Sequence, residues 1–109
     1  MTTSVRPCTV DITLGVIGGK WKPVILWYLS DKKPIRFNQL HRLINGVTQK
    51  MLTQQLRELE ADGLIERKVF AEVPPRVEYT ITEHGLSLNP VLSAMSNWGA
   101  SHRTLQEKK

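Results

Sequence analysis

The chain has a single cysteine, Cys8, so no disulfide can form within it. It also lacks any apolar run of the roughly 18 residues that a membrane helix needs, and nothing at its start reads as a secretion signal. These absences predict a cytoplasmic protein with no membrane span. Its three histidines, His41, His84 and His102, are dispersed, without the close pair spacings from which zinc sites are built. A glycine-rich phosphate loop is missing as well. We therefore expect no structural metal, no cofactor and no catalysis, since the parts of an active site are not there. Negative charge is in deficit too: 10 Asp and Glu stand against 15 Lys and Arg, a formal net charge of +5. A surplus of positive charge favours a polyanionic partner, either nucleic acid or an anionic surface, and charge alone does not choose between them.

What is present fits one domain. A length of 109 residues leaves little room for two cores, and 40% hydrophobic with 23% charged residues is ordinary for a globular chain. Residues 1–7 are polar or small and read as a flexible arm, residues 8–100 as the folded domain, and residues 101–109 as a fraying polar tail. Within the domain, Ile12, Leu14, Val16 and Ile17 predict a short helix capped by Asp11 and stopped at Gly18-Gly19. Trp21, Val24, Ile25, Leu26, Trp27 and Leu29 are apolar around much of a helical circumference, which predicts a central helix packed on several sides. Pro23 fits there only in the first turn. Ile35 and Arg36 can make a very short strand, followed by a helix over residues 37–43.

Asn45-Gly46 is a strong breaker, after which Thr48 can cap a helix running to about Ala61, where Asp62-Gly63 ends it. Leu52, Leu56 and Leu59 form its buried stripe. Residues 64–70 and 77–81 alternate as two strands, joined by a stiff loop from Ala71 to Arg76 that contains Pro74-Pro75. A last helix begins at Thr82 and Glu83 and continues through Trp98, with a kink or break at Pro90. The fold class is mainly α with a small antiparallel β-hairpin, in the order of a winged helix-turn-helix.

That order places two helices around a tight glycine turn, the unit that presents its second helix to a major groove. Opposite the leucine stripe lie Lys50, Thr53, Gln54 and Arg57, with Thr48 and Gln49 at the amino end. Lys50 and Arg57 suit phosphate or guanine, Gln54 can pair with adenine, and Thr53 can touch a thymine methyl. Helix-end N–H groups also favour phosphate. Glu58, Glu60 and Asp62 in the second half would repel the DNA backbone, so the first two turns are expected to enter the groove. An isolated helix with these residues would read as a solvated face; the flanking turn and hairpin favour double-stranded DNA. Arg76 is the candidate wing probe of phosphate or minor groove, or else a surface arginine paired with Glu72 or Glu78. An interaction module without DNA is the other function this fold allows.

Several blocks in order, Ile17-Gly18-Gly19-Lys20-Trp21, Ile25-Leu26-Trp27, Arg36-Phe37-Asn38-Gln39-Leu40, Gln49 through Leu59 and Pro74 through Tyr79, carry a resemblance to a family. The chain resembles the HxlR-type winged-helix transcription regulators of bacteria, which are MarR-like. The resemblance implies a homodimer on a palindromic operator, with repression as the expected role. It implies dimer contacts through the first and last helices, here Ile12, Val16, Leu88, Val91, Leu92, Met95 and Trp98, although the last segment could instead fold back on its own core. Arg36, Asn38 and His41 become supporting DNA contacts, His41 standing where the family commonly has arginine and Asn45 where it often has proline. Some members sense oxidants or electrophiles through a cysteine at the place of Cys8. Standing just before a helix, such a thiol would be favoured as thiolate; the alternative is a small buried apolar residue. Thr9 follows it where the family often has proline.

Overall fold

The computed structural model describes residues 8–108; the expected arm, residues 1–7, lies outside them. The elements run α1 (Val10–Ile17), α2 (Lys22–Leu29), β1 (Ile35–Arg36), α3 (Phe37–Leu43), α4 (Gln49–Ala61), β2 (Ile65–Phe70), β3 (Arg76–Ile81), α5 (Glu83–Leu86) and α6 (Asn89–Glu107). This is the expected winged helix-turn-helix order. The hairpin gains a third strand: β1 pairs antiparallel with β3, giving the order β1-β3-β2, with Ile35 opposite Tyr79 and Arg67 opposite Tyr79 on the other side.

One core holds the elements together. Ile25, Leu26 and Leu29 of α2 meet Leu40 of α3, Leu52, Leu56 and Leu59 of α4, Ile65 and Tyr79 of the sheet, and Leu92 of α6. The α4 leucines are fully buried, as their spacing of four and three residues requires of a helix lying on one face. Truncating one of them to alanine removes buried methyl groups and leaves a cavity, at a cost of about 2–5 kcal/mol.

The turn between α3 and α4 is set by local chemistry. Gly46 has φ 92, a left-handed conformation that costs glycine nothing because it lacks a Cβ. Thr48 has extended backbone and its Oγ1 accepts from the Met51 N–H at 3.0 Å, satisfying one of the amide donors that a helix start leaves unpaired. At the far end of α4, Thr82 Oγ1 accepts from Gly85 N–H and donates to the Gly63 carbonyl at 2.7 Å. The cap of α5 thereby anchors the exit of α4.

Three expectations change in whole or in part, and the break expected at Pro90 is found. α1 starts at Val10 with Thr9 in the cap position, its carbonyl accepting from the N–H groups of Ile12 and Thr13, so Asp11 sits in the first turn instead of capping it. α2 packs on several sides, against α4, β3 and α6, but one side stays open: Val24 and Trp27 are exposed and line a shallow apolar groove with Leu92 and Met95 of α6. The chain breaks fully before Pro90, and α6 restarts with proline in its first turn, where the missing N–H has no intrahelical partner to lose. The polar segment from Ser101 does not fray; it extends α6 to Glu107 as exposed helix, with Thr104 Oγ1 donating back to the Ala100 carbonyl.

Candidate nucleic-acid interface

Phe37, at the start of α3, joins three adjoining grooves on one side of the molecule. The first runs along α4 past Gln49, Lys50, Thr53, Gln54 and Arg57. The second lies between α4 and the sheet, past Arg57, Glu60, Arg67, Val77 and Tyr79. The third separates the start of α3 from the wing and is lined by Arg36, Asn38, Gln39, Arg42, Glu72 and Arg76 among others. Six cations (Arg36, Arg42, Lys50, Arg57, Arg67 and Arg76) border this surface against two carboxylates, Glu60 and Glu72. A concave face so charged concentrates polyanions.

The structure thus brings five of the six candidate residues of the α4 region, Gln49, Lys50, Thr53, Gln54 and Arg57, onto one groove. Gln49, Lys50, Gln54 and Arg57 are exposed, and Thr53 is half-buried. Thr53 Oγ1 donates to the Gln49 carbonyl at 2.8 Å, which uses its hydroxyl proton and leaves the methyl as its apolar contact. Thr48 serves the helix as its cap. Arg36 and Asn38 are exposed at the start of α3, where Gln39 Oε1 accepts from the Arg36 N–H at 3.0 Å.

His41 and Glu58 stand differently from the reading above, and Arg76 takes the second of its two readings, paired with Glu72 and Glu78. His41 does not project as a phosphate ligand: it is half-buried, with Nε2 3.0 Å from the Val47 carbonyl. Since a carbonyl only accepts, Nε2 carries the proton of this bond, and the ring braces the turn that aims α4. Arg76 is the first residue of β3 and not a free tip. Its guanidinium lies 3.9 Å from the centre of the Phe70 ring, with Glu72 at 3.4 Å and Glu78 at 3.3 Å. Glu58 is not an unpaired repelling acid. Lys22 Nζ approaches its Oε1 to 2.6 Å, and the Gln54 Nε2 donates to its Oε2 at 3.1 Å. The Lys22 hydrogen bond, then that from Gln54, then the ammonium charge hold the Glu58 carboxyl below its ordinary value of 4.5. Glu60 and Asp62 remain exposed at the end of α4, as expected.

Arg42 and Arg67 are members of this face that sequence reasoning missed. For Arg67 the signal was there: strand alternation puts it on the face of Ile65, and the register sets it opposite buried Tyr79. Arg42 falls outside the stripe of α3 and carries no such mark.

The residues expected at a dimer contact divide. Ile12, Val91, Met95 and Trp98 are exposed, and Val16 is half-buried. Leu92 belongs to the protein's own core, and Leu88 packs against it, so the folding-back alternative holds for these two. Cys8 is exposed, which removes its reading as a buried residue. Among the described residues, no group of three His, Cys, Asp or Glu is placed to hold a metal ion, and no helix is long and apolar enough to cross a membrane.

Comparison with known proteins points the same way. The family model for an HxlR-like helix-turn-helix matches residues 16–107. The HTH-type transcriptional regulator YtcD of Bacillus subtilis is 56% identical over 94 residues, 86% of this chain and 74% of that protein. YybR of the same organism, also an HTH-type transcriptional regulator, is 50% identical over 100 residues, 92% of this chain and 79% of that one. Among solved structures, the redox regulator HypR in its reduced form superposes with a TM-score of 0.85 at 47% identity, over 94% of this chain and all of that one. Its oxidised form gives 0.81 at 50% identity, over 86% and 96%.

Proposed function

We infer that this chain, which belongs to the HxlR-like helix-turn-helix family and is a transcriptional regulator with a helix-turn-helix DNA-binding domain, works as a homodimeric repressor on a palindromic operator. The observation that carries the reading is the continuous basic face, with the first turns of α4 at its centre and the start of α3 and the wing at its edge. Gln54 and Thr53 read base edges in the major groove, and Lys50 and Arg57 reach phosphate or guanine beside them. Thr48 and Gln49, with Arg36 and Asn38, fix the register on phosphates. His41 and Arg76 hold the turn and the wing in position, and Arg76 adds its charge at the phosphate edge.

The dimer rests on apolar residues that the protomer leaves uncovered. Val91, Met95, Trp98 and Leu105 are exposed on α6, and with His102, stacked on Trp98 at 4.9 Å, they recur at alternating spacings of four and three residues. That is the repeat of a helix-pairing seam. Val10, Ile12 and Leu14 of α1 are exposed as well, as is Trp27 beside α6. Two copies joined there would carry two α4 helices to major grooves about 34–36 Å apart. The exposed Cys8 supports a response to oxidants: two such thiols, one from each protomer, lose two electrons and two protons to the oxidant and join as a disulfide, or one pairs with a small thiol. Repression and the cytoplasmic setting follow the family resemblance.

The experiment is selection of the operator from random duplex DNA with the purified chain, followed by footprinting and sedimentation. The expected result is two inverted half-sites about one helical turn apart, bound by two chains. A single asymmetric site bound by one chain refutes the dimeric reading.

A further inference from the structure

We propose that Lys22, on α2, sets the direction in which Gln54 offers its carboxamide to DNA, acting through Glu58 as a positioning residue. The inference rests on the reading of Gln54 as a base-contacting residue given above.

Lys22 is the one charged residue buried in the core region among the described residues, its side chain only 9% exposed. An ammonium in that position is costly unless it is paired, and removing its partner alone would leave the charge stranded. Its partner lies on the DNA-facing helix and not on α2. Both carboxylate oxygens of Glu58 are occupied, Oε1 by Lys22 at 2.6 Å and Oε2 by the amide of Gln54 at 3.1 Å. Lys22 is thus one bond removed from a side chain that is exposed on the face of α4.

The consequence follows from the chemistry of an amide. The oxygen and nitrogen of glutamine have nearly the same shape, and a free carboxamide can present either one. The adenine edge requires a donor and an acceptor in fixed order, so a flipped amide sets donor against donor. An ionised carboxylate can only accept, so the Gln54 atom facing Glu58 must be the nitrogen. One N–H is then used, and the other N–H with Oε1 remain for the base. Glu58 can enforce this only while its own carboxylate is held, which the Lys22 ammonium does from the protein side. The same pairing cancels a negative charge that would otherwise face the phosphates.

The test uses the full chain and duplexes derived from the selected operator, changed one base pair at a time. Gln54→Ala is expected to flatten discrimination at one position of each half-site. Lys22→Met is expected to weaken discrimination at that same position by up to about twofold, because an amide shared equally between two orientations is competent only half the time. Lys22→Arg, which keeps the charge, should retain it. Glu58→Gln, of the same shape but with one accepting oxygen, is the second variant and should loosen the same position. In the unbound protein, the nuclear magnetic resonance shifts of the Gln54 side-chain amide protons should move toward those of a free carboxamide in Lys22→Met and stay at the parent values in Lys22→Arg. Lys22→Met that keeps full discrimination at the Gln54 position, or that weakens every position evenly, overturns the proposal. Gln54→Ala with every preference intact refutes the base-reading assignment itself.

Discussion

Phosphate contacts can be counted through salt, and the structure predicts unequal counts for cations that look alike in sequence. Lys50 and Arg57 take part in no ion pair among the described residues, whereas Arg76 lies within 3.4 Å of two carboxylates, Glu72 and Glu78. Each phosphate neutralised by a free cation contributes about 0.9 to the slope of log affinity against log salt, so one contact is worth about 3.5-fold between 50 and 200 mM salt. A homodimer uses every residue twice. Lys50→Ala is therefore expected to flatten the slope by about 1.8, and Arg57→Ala by the same amount if it meets phosphate. Arg76→Ala should flatten it by much less, because most of its charge is already neutralised inside the protein. Its affinity should still fall, since two acids are left facing the DNA. The sharper arm is Glu72→Gln, which removes one of those acids, half-exposed beside the arginine. This variant is expected to bind the operator more tightly at low salt and with a steeper slope. Fluorescence anisotropy with a labelled operator over that salt range measures both quantities. An Arg76→Ala slope change equal to that of Lys50→Ala, or a Glu72→Gln variant no tighter than the parent, refutes the assignment of Arg76 as a braced cation.

Further consequences are open to measurement. Thr48→Ala removes the cap that holds the Met51 N–H and should cost about 1 kcal/mol in denaturant unfolding; no loss would mean the cap adds nothing. Met95→Glu places a charge in the exposed α6 seam and should give monomers by sedimentation while the fold persists, and a dimer of unchanged strength would move the interface elsewhere. Cys8→Ser should abolish any effect of mild oxidant on operator binding, and an identical response in both proteins disposes of the sensor. Glu58 has a folded-state pKa below its ordinary 4.5, so the stability it adds is present above that value and lost as pH falls through the folded one. Glu58→Gln should therefore flatten the acid side of the stability curve, and an unaltered acid limb would refute the pairing with Lys22.

Much of the architecture was legible because its causes are local. A threonine cap, a left-handed glycine and a leucine stripe each depend on residues within about four positions, and α4 emerged at its expected place with its expected buried side. α6 was legible only in part. Its apolar spacing was visible, but spacing does not say that Leu92 meets the core while Val91 and Met95 face outward, since that depends on which side α2 occupies. The helical continuation past Ser101 was missed because a polar, exposed stretch carries no burial signal, although it lacks proline or glycine to stop it.

The larger gap concerns side chains whose partners composition and period do not reveal. Glu58 reads as an acid that repels DNA until Lys22, 36 positions earlier, is found against it, and His41 reads as a phosphate ligand until Val47 takes its Nε2. Both errors have one origin: composition and period describe what a side chain is, whereas its effect on a neighbouring polyanion depends on what already occupies its charge or its hydrogen-bonding atoms. For Arg76 the pairing was legible, since Glu72 and Glu78 are near in sequence, and the structure shows a cation partly spent on both. The DNA-facing helix is therefore not a self-contained reader. Its position comes from a histidine on α3, its one neutralised acid from a lysine on α2, and the wing's charge is set by two glutamates. A change at Lys22 or Glu72, neither of which need touch a base, is expected to alter which sequences are bound and how steeply salt releases them.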